Sequence, residues 1–378
     1  MSGIYKKLEN ELCGLRNNGR LRNLAENEDM NLLNLSSNDY LGLASDKDLL
    51  EEFYSGITDK TISSKYSMSA SSSRLLTGNH SLYLELENEL AKIYNAEAAL
   101  FFNSGYHANI GILPALAGRK DLILSDKLNH ASIIDGIRLA DCAFKRYRHC
   151  DYEQLEKILS KQRSNYERVF IITESVFSMD GDIADLRKLV EIKKKYDAFL
   201  IVDEAHAVGV FGKNGCGICE SQKVMQDIDM IIGTCGKALA SIGAYTITNN
   251  IVRDFLINKM RSFIFTTALP PIVVNWNLFI IKKIPLMNGK RLRLAELSLK
   301  FRQNLSKFCK ISGESQIIPF IVGADKATID LAKKCRKNGF RIFPIRPPTV
   351  PQGTARLRIS MTTEIEWEQL DKLLKCLR

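Results

Sequence analysis

The chain is 378 residues long, with 45% hydrophobic and 25% charged residues, the balance of an ordinary globular protein able to bury a large core. Lys plus Arg outnumber Asp plus Glu 53 to 43, but the charges are dispersed and no basic block alternates with aromatics, which argues against a nucleic-acid partner and leaves a solvated basic surface or attraction to an acidic partner. No run of 18 apolar residues occurs and the start lacks a signal-peptide core, so no membrane span is expected and the nine cysteines read as free thiols in a reducing cytoplasm.

In chain order, Ile4, Leu8, Leu12 and Leu15 share one face of an amphipathic helix. It opens an N-terminal arm, residues 1–45. Leu82, Leu86, Leu90 and Ile93 mark a helix, followed by a strand at 98–102. Short strands are predicted at 121–124 and 142–147, then one at 169–173, and then a helix with Leu186, Leu189 and Val190 on one side. Strands at 199–202, 230–232 and 244–248 complete the series. Near-continuous apolar strands alternating with helices imply an α/β fold with a mainly parallel sheet covered on both faces, spanning residues 46–270. Pro270-Pro271 breaks the pattern. A helix around Trp276, strands at 317–322 and 356–360, and helices at 328–338 and 364–377 then read as a smaller α+β domain, 271–378.

Ligands of such sheets bind beyond the carboxyl ends of the strands. Ser178 follows one strand, Asp203 ends the next, and Lys237 lies in a loop of small residues after the third. A strand-end carboxylate, His206 three residues on, and a lysine among Thr234, Cys235, Gly236 and Ala238 suit pyridoxal phosphate. The amine would hold the cofactor as a Schiff base. Asp203 would keep its ring nitrogen protonated, so that the ring can accept carbanion electrons. His206 could contact the phenolic oxygen, and His130, in another post-strand loop, could stack on the ring. Gly105 and Tyr106 open a helix whose N–H groups could meet a phosphate. Arg356 and Arg358 fall on one face of a strand, and an arginine fork suits a carboxylate.

Two other readings weaken on inspection. Asp203-Glu-Ala-His206 is also a helicase signature, but the phosphate loop a helicase needs is missing, since Gly236-Lys237 is followed by Ala238. Cys216-Gly-Ile-Cys219 has no second pair with which to hold zinc, and no metal is expected.

Together these residues resemble the α-oxoamine synthases, pyridoxal-phosphate enzymes of the aspartate-aminotransferase-like fold, over nearly the whole chain. The stretches that carry the resemblance are Ser36-Ser-Asn-Asp-Tyr-Leu-Gly-Leu43, Thr77-Gly-Asn-His80, Asn103-Ser-Gly-Tyr106, Asn129-His-Ala-Ser132, Glu174-Ser-Val-Phe-Ser-Met-Asp-Gly-Asp182, Asp203-Glu-Ala-His206 and Thr234-Cys-Gly-Lys237. The resemblance implies Lys237 as the Schiff-base lysine, Asp203 on the pyridine nitrogen and His130 stacked on the ring. It adds Gly105, Tyr106, Ser178, His206 and Thr234 as cofactor contacts. Arg22, Thr349 and Arg358 become substrate contacts, with Arg346 a second candidate for the carboxylate.

Ser262-Phe-Ile-Phe-Thr-Thr-Ala-Leu-Pro-Pro271 and Ile345-Arg-Pro-Pro-Thr-Val-Pro-Gln-Gly-Thr-Ala-Arg-Leu-Arg358 narrow the resemblance. They imply decarboxylative condensation of L-alanine with a pimeloyl thioester, on coenzyme A or an acyl carrier protein, as in biotin synthesis. Glycine with acetyl-CoA, or serine with a long acyl-CoA, is the alternative within the family. Members are homodimers with the active site at the subunit interface, which would bring Thr266 or Thr267 to the neighbouring subunit's phosphate. The family usually carries glycine where this chain has Ala240. A catalytically silent protein of the same fold is the reading from another class, and intact Lys237, Asp203 and His130 argue against it.

Overall fold

The computed structural model describes residues 3–22, 24 and 31–378; residues 25–30 of the expected N-terminal arm lie outside the described residues. Contacts divide the chain into two compact units. The larger comprises Asn38–Ser178 and Asp182–Leu294; the smaller comprises Met1–Ser37, Met179–Gly181 and Ala295–Arg378.

The larger unit is built on seven strands: β1 Ala98–Phe102, β2 Leu122–Asp126, β3 Ala143–Tyr147, β4 Val169–Glu174, β5 Phe199–Asp203, β6 Met230–Thr234 and β7 Ala244–Thr248. They lie in the order β1-β7-β6-β5-β4-β2-β3. From β3 to β6 all neighbours pair in parallel, and β7 runs antiparallel to both β6 and β1. Every residue of β1, β2, β4, β6 and β7 is buried. Such strands read as unbroken apolar runs rather than as alternating ones, because both faces of the sheet are covered. The reversal of β7 has a local cause. Residues 235–243 join β6 to β7, fewer than the dozen or so that a parallel crossover needs. That short return carries Lys237.

Helix α1, Gly105–Leu116, and helix α2, Ala131–Leu139, follow β1 and β2. Their Ile112, Leu113, Ile133 and Ile137 pack in one cluster with Ile123, Ile172, Ile201 and Ile232 of the sheet. Burying a side chain of this size stabilises by roughly 1.5–3 kcal/mol. The two helices approach closely because Gly136 has no side chain: a Cβ there would stand 2.3 Å from the Asn109 carbonyl oxygen. Helix α3, Pro271–Lys283, starts with proline at its first position, where the missing N–H costs nothing. It packs against the helix Ser81–Ile93. Pro270-Pro271 therefore opens a helix of the larger unit, and residues 271–294 fall in that unit rather than in a domain starting at 271.

In the smaller unit, β8 Ile317–Gly323, β9 Pro344–Ile345 and β10 Ala355–Ser360 form an antiparallel sheet with β10 central. The helix Trp367–Leu377 is opened by a capping box between Glu366 and Gln369. The N-terminal helix Gly3–Asn17 buries none of its residues. Among the described residues no helix is long and apolar enough to cross a membrane, and all nine cysteines are free thiols.

Candidate active site

Asp203 and Lys237 reach the same end of the sheet because β5 and β6 are parallel neighbours, with Asp203 opposite Ile232. After Thr234 the chain turns tightly. The Cys235 N–H donates to the Gly243 carbonyl at 2.9 Å, Ser241 N–H to Cys235 O at 2.9 Å, and Ala240 N–H to Lys237 O at 2.9 Å. Held in this turn, Lys237 Nζ lies 2.9 Å from His206 Nε2. His206 is buried, and its Nδ1 lies 2.7 Å from Tyr40 Oη. The Tyr40 hydroxyl donates to Asn38 Oδ1 at 3.1 Å, so a chain of polar contacts runs from Asn38 through Tyr40 and His206 to the lysine amine.

A second network starts at Asp203. Its Oδ1 accepts the Ala205 N–H at 2.9 Å, and its Oδ2 accepts from Asn109 Nδ2 at 2.8 Å. Asn109 Nδ2 also reaches Ser132 Oγ at 3.0 Å, and Ser132 Oγ lies 2.7 Å from His130 Nδ1. His130 caps helix α2. Its residue is exposed, so a ring stacked on it would complete its burial. The part already set into protein lowers its pKa by desolvation, against the raising effect of Asp203. Beside Asp203, at the matching position of β4, stands Glu174. Burial, reinforced by the Asp203 charge, pushes its carboxyl up to about 8.

The other expected cofactor residues divide into two groups. Gly105 and Thr234 come together: a Cβ on Gly105 would meet nothing closer than Thr234 Oγ1 at 3.6 Å, so the start of helix α1 is open at this point. Ser178 and Thr234 are buried. Tyr106 is exposed, and its hydroxyl donates to Asp135 at 2.5 Å. Within this chain Thr266 Oγ1 accepts from Asn103 Nδ2 at 3.1 Å and the Thr267 carbonyl from the same nitrogen at 2.7 Å. Glu204, the neighbour of Asp203, is fully buried. It accepts the N–H groups of Ile218 at 3.0 Å and Cys219 at 2.6 Å, and the Ser175 hydroxyl. Burial raises the Cys219 thiol pKa well above its usual value.

In the smaller unit, Arg20, Arg22, Arg346 and Thr349 line a cavity of about 320 Å³ with Phe343 and Pro344. Arg22 donates to Thr349 Oγ1 at 2.8 Å, Arg346 to the Gly19 carbonyl, and Arg20 pairs with Asp325 at 3.3 Å. Three guanidinium groups around one cavity suit an anion. Arg358 does not line it; it is buried on β10 and donates to Ser360 Oγ at 2.8 Å. Arg356, on the same face, pairs with Asp180.

Sequence reasoning missed Tyr40, Asn109 and Glu174 as site residues. Tyr40 and Glu174 lie inside quoted motifs, so a signal existed. Asn109 gives none, being one polar residue within an apolar helix.

The chain matches the aminotransferase class I and II family over residues 30–377. It is 52% identical over 343 residues to the 8-amino-7-oxononanoate synthase of Chlorobaculum parvum, covering 90% of this chain and 88% of that one. It is 48% identical over 356 residues to the putative 8-amino-7-oxononanoate synthase of Pasteurella multocida, covering 93% and 91%. Among solved structures it resembles the Francisella tularensis 8-amino-7-oxononanoate synthase, with TM-score 0.78, 31% identity, and 92% and 97% coverage. It also resembles the Sphingomonas wittichii serine palmitoyltransferase, with TM-score 0.89, 29% identity, and 99% and 96% coverage. The chain belongs to the aminotransferase class I and II family. Within it, the chain is a pyridoxal-phosphate-dependent, acyl-transferring enzyme of the α-oxoamine synthase type. The donor set fits that cofactor: an amine hydrogen-bonded to an imidazole nitrogen, a buried strand-end carboxylate, an exposed histidine and an open helix N-terminus.

Proposed function

We propose that the protein condenses L-alanine with a pimeloyl thioester, releasing the carrier thiol and carbon dioxide, to give 8-amino-7-oxononanoate for biotin synthesis. The observation that carries this reading is the contact of Lys237 with His206 beside the Asp203–Asn109 pair, in a chain about half identical to proteins bearing that enzyme's name. When bound, pyridoxal phosphate supplies an electron sink for the carbanion at the amino-acid Cα. Lys237 would hold the cofactor covalently and, with alanine bound in its place, would take the Cα proton. Asp203 keeps the ring nitrogen cationic. His206, fixed by Tyr40, receives the lysine amine and orients the phenolic side of the ring. His130 would lie against the cofactor ring and polarise the new carbonyl as carbon dioxide leaves. Gly105, Tyr106, Ser178 and Thr234 hold the remaining cofactor groups.

Arg22, Arg346 and Thr349 offer an anion site for substrate, and Arg358 is the other candidate for the alanine carboxylate. Separate substitution of Arg346 and Arg358 distinguishes them by the KM for alanine. The family resemblance implies a homodimer. The deciding experiment is a panel of alanine, glycine and serine, each with pimeloyl, acetyl and palmitoyl thioesters on coenzyme A and on carrier protein. The highest kcat/KM is expected for alanine with a pimeloyl donor. A higher value for glycine with acetyl, or serine with palmitoyl, overturns the assignment.

A further inference from the structure

We propose that Asn109 and Ser132 are positioning residues that fix His130 as the neutral tautomer with its proton on Nε2, and that couple this choice to Asp203. The proposal rests on the reading of Asp203 and His130 as cofactor residues. The hydrogens follow from counting donors and acceptors. Asn109 is buried in helix α1, with its amide nitrogen 2.8 Å from Asp203 Oδ2 and 3.0 Å from Ser132 Oγ. Turning the amide over would set its oxygen against the carboxylate, so the nitrogen faces Asp203 and both of its hydrogens are used. Ser132 Oγ thus accepts from Asn109, and its own hydrogen goes to His130 Nδ1 at 2.7 Å. The Ser132 backbone N–H points at the same nitrogen, at 3.3 Å. An Nδ1 that receives two donors carries no proton, so the neutral ring holds it on Nε2.

The charges around the ring bear on whether it stays neutral. Asp203 and Asp135 favour the protonated ring, whereas desolvation, the largest influence, and Lys237 oppose it. His130 thus accepts at Nδ1 and donates at Nε2. An Nε2–H can donate to a carbonyl oxygen, whereas an Nε2 lone pair would repel it. Asp203 orients the amide, the amide orients the hydroxyl, and the hydroxyl selects the nitrogen that donates.

The chain has only five histidines, so their ring nitrogens can be followed by ¹⁵N NMR. In both cofactor-free and cofactor-loaded wild type, His130 is expected to show a protonated Nε2 and an unprotonated Nδ1. Ser132→Ala, which leaves only the longer backbone N–H on Nδ1, should weaken the preference for the Nε2 tautomer and lower kcat about tenfold, the worth of one hydrogen bond, with KM for alanine little changed. Ser132→Thr, which keeps the hydroxyl, should restore both readouts. A wild-type His130 protonated on Nδ1, or a Ser132→Ala variant with unchanged ring shifts, overturns the proposal. The wild-type measurement needs no variant to fold. Because the cofactor-free spectrum involves no substrate, failure of the condensation reaction itself would leave the tautomer result standing.

Discussion

Gly136 lies so close to Asn109 that a Cβ on it would stand 2.3 Å from the Asn109 carbonyl oxygen and 3.3 Å from Ile110 Cα. Backbone cannot swing aside as a side chain can, so Gly136→Ala must separate helices α1 and α2. The expected cost is about 1–3 kcal/mol. The displaced residue is the one that donates to Asp203, so cofactor retention should weaken as well. Urea unfolding of the cofactor-free protein measures the first effect and equilibrium dialysis of pyridoxal phosphate the second. A variant as stable as wild type would show that the helices part freely.

Lys237→Ala is expected to abolish turnover and the visible absorbance of lysine-bonded cofactor, while Asp203 and His130 still retain cofactor without a covalent bond. Undiminished turnover in this variant would remove Lys237 from the chemistry.

Glu174 gives a pH signature. Its carboxyl is pushed up to about 8, first by burial and then by Asp203, from the ordinary glutamate value of 4.5 that it keeps in the unfolded chain. Between those values the folded protein keeps a proton that the unfolded chain has released, so Glu174 makes stability fall as pH rises. Glu174→Gln removes the titration. In urea unfolding of cofactor-free protein, the variant should gain on wild type steadily from about pH 5 to about pH 8. A constant difference across that range would contradict the assignment.

His149 should behave differently. Its Nδ1 lies 3.0 Å from Asp126 Oδ1 and its Nε2 3.2 Å from Asp182 Oδ2. Burial opposes its charge, but hydrogen bonds to Asp126 and Asp182 overcome it and raise the pKa to about 12. The stabilisation is complete below the unfolded value near 6.5 and is lost progressively as pH rises towards 12. His149→Gln should therefore destabilise most at about pH 6, by roughly 1–3 kcal/mol. The deficit should shrink in alkali, as thermal melts across that range would show.

Ala240, where the family usually has glycine, adopts φ +49°. A left-handed backbone costs a residue with a Cβ about 1–2 kcal/mol. Ala240→Gly should raise the urea midpoint, by less than that full amount because glycine also gains freedom in the unfolded chain. A lowered midpoint would mean that the methyl packs more favourably than the backbone is strained.

The central strands were legible in the sequence because β1, β2, β4, β6 and β7 are buried throughout and largely apolar, whereas β3, Ala-Phe-Lys-Arg-Tyr at the edge of the sheet, is mostly exposed. That Lys237, Asp203 and His206 lie at one end of the sheet was legible because each sits in a short motif at or after a strand end. Other features lay outside the reach of the sequence. Asn109 acts on Asp203 from 94 positions away, and nothing local marks an asparagine in a helix as a partner for a carboxylate. The reversal of β7 was there to be read from the length of the 235–243 connection, while apolar content alone gives no strand direction. Pro270-Pro271 looked like a boundary because proline ends helices as readily as it begins them.

Glu204 shares a four-residue motif with Asp203 and His206, yet it is anchored by Ile218, Cys219 and Ser175. It serves as the keystone of the turn at 216–219. In an alanine scan scored by activity alone, Glu204 would rank with the neighbours that handle the cofactor. Scored by the fold of the cofactor-free protein, it would stand apart from Lys237, whose loss leaves the architecture whole.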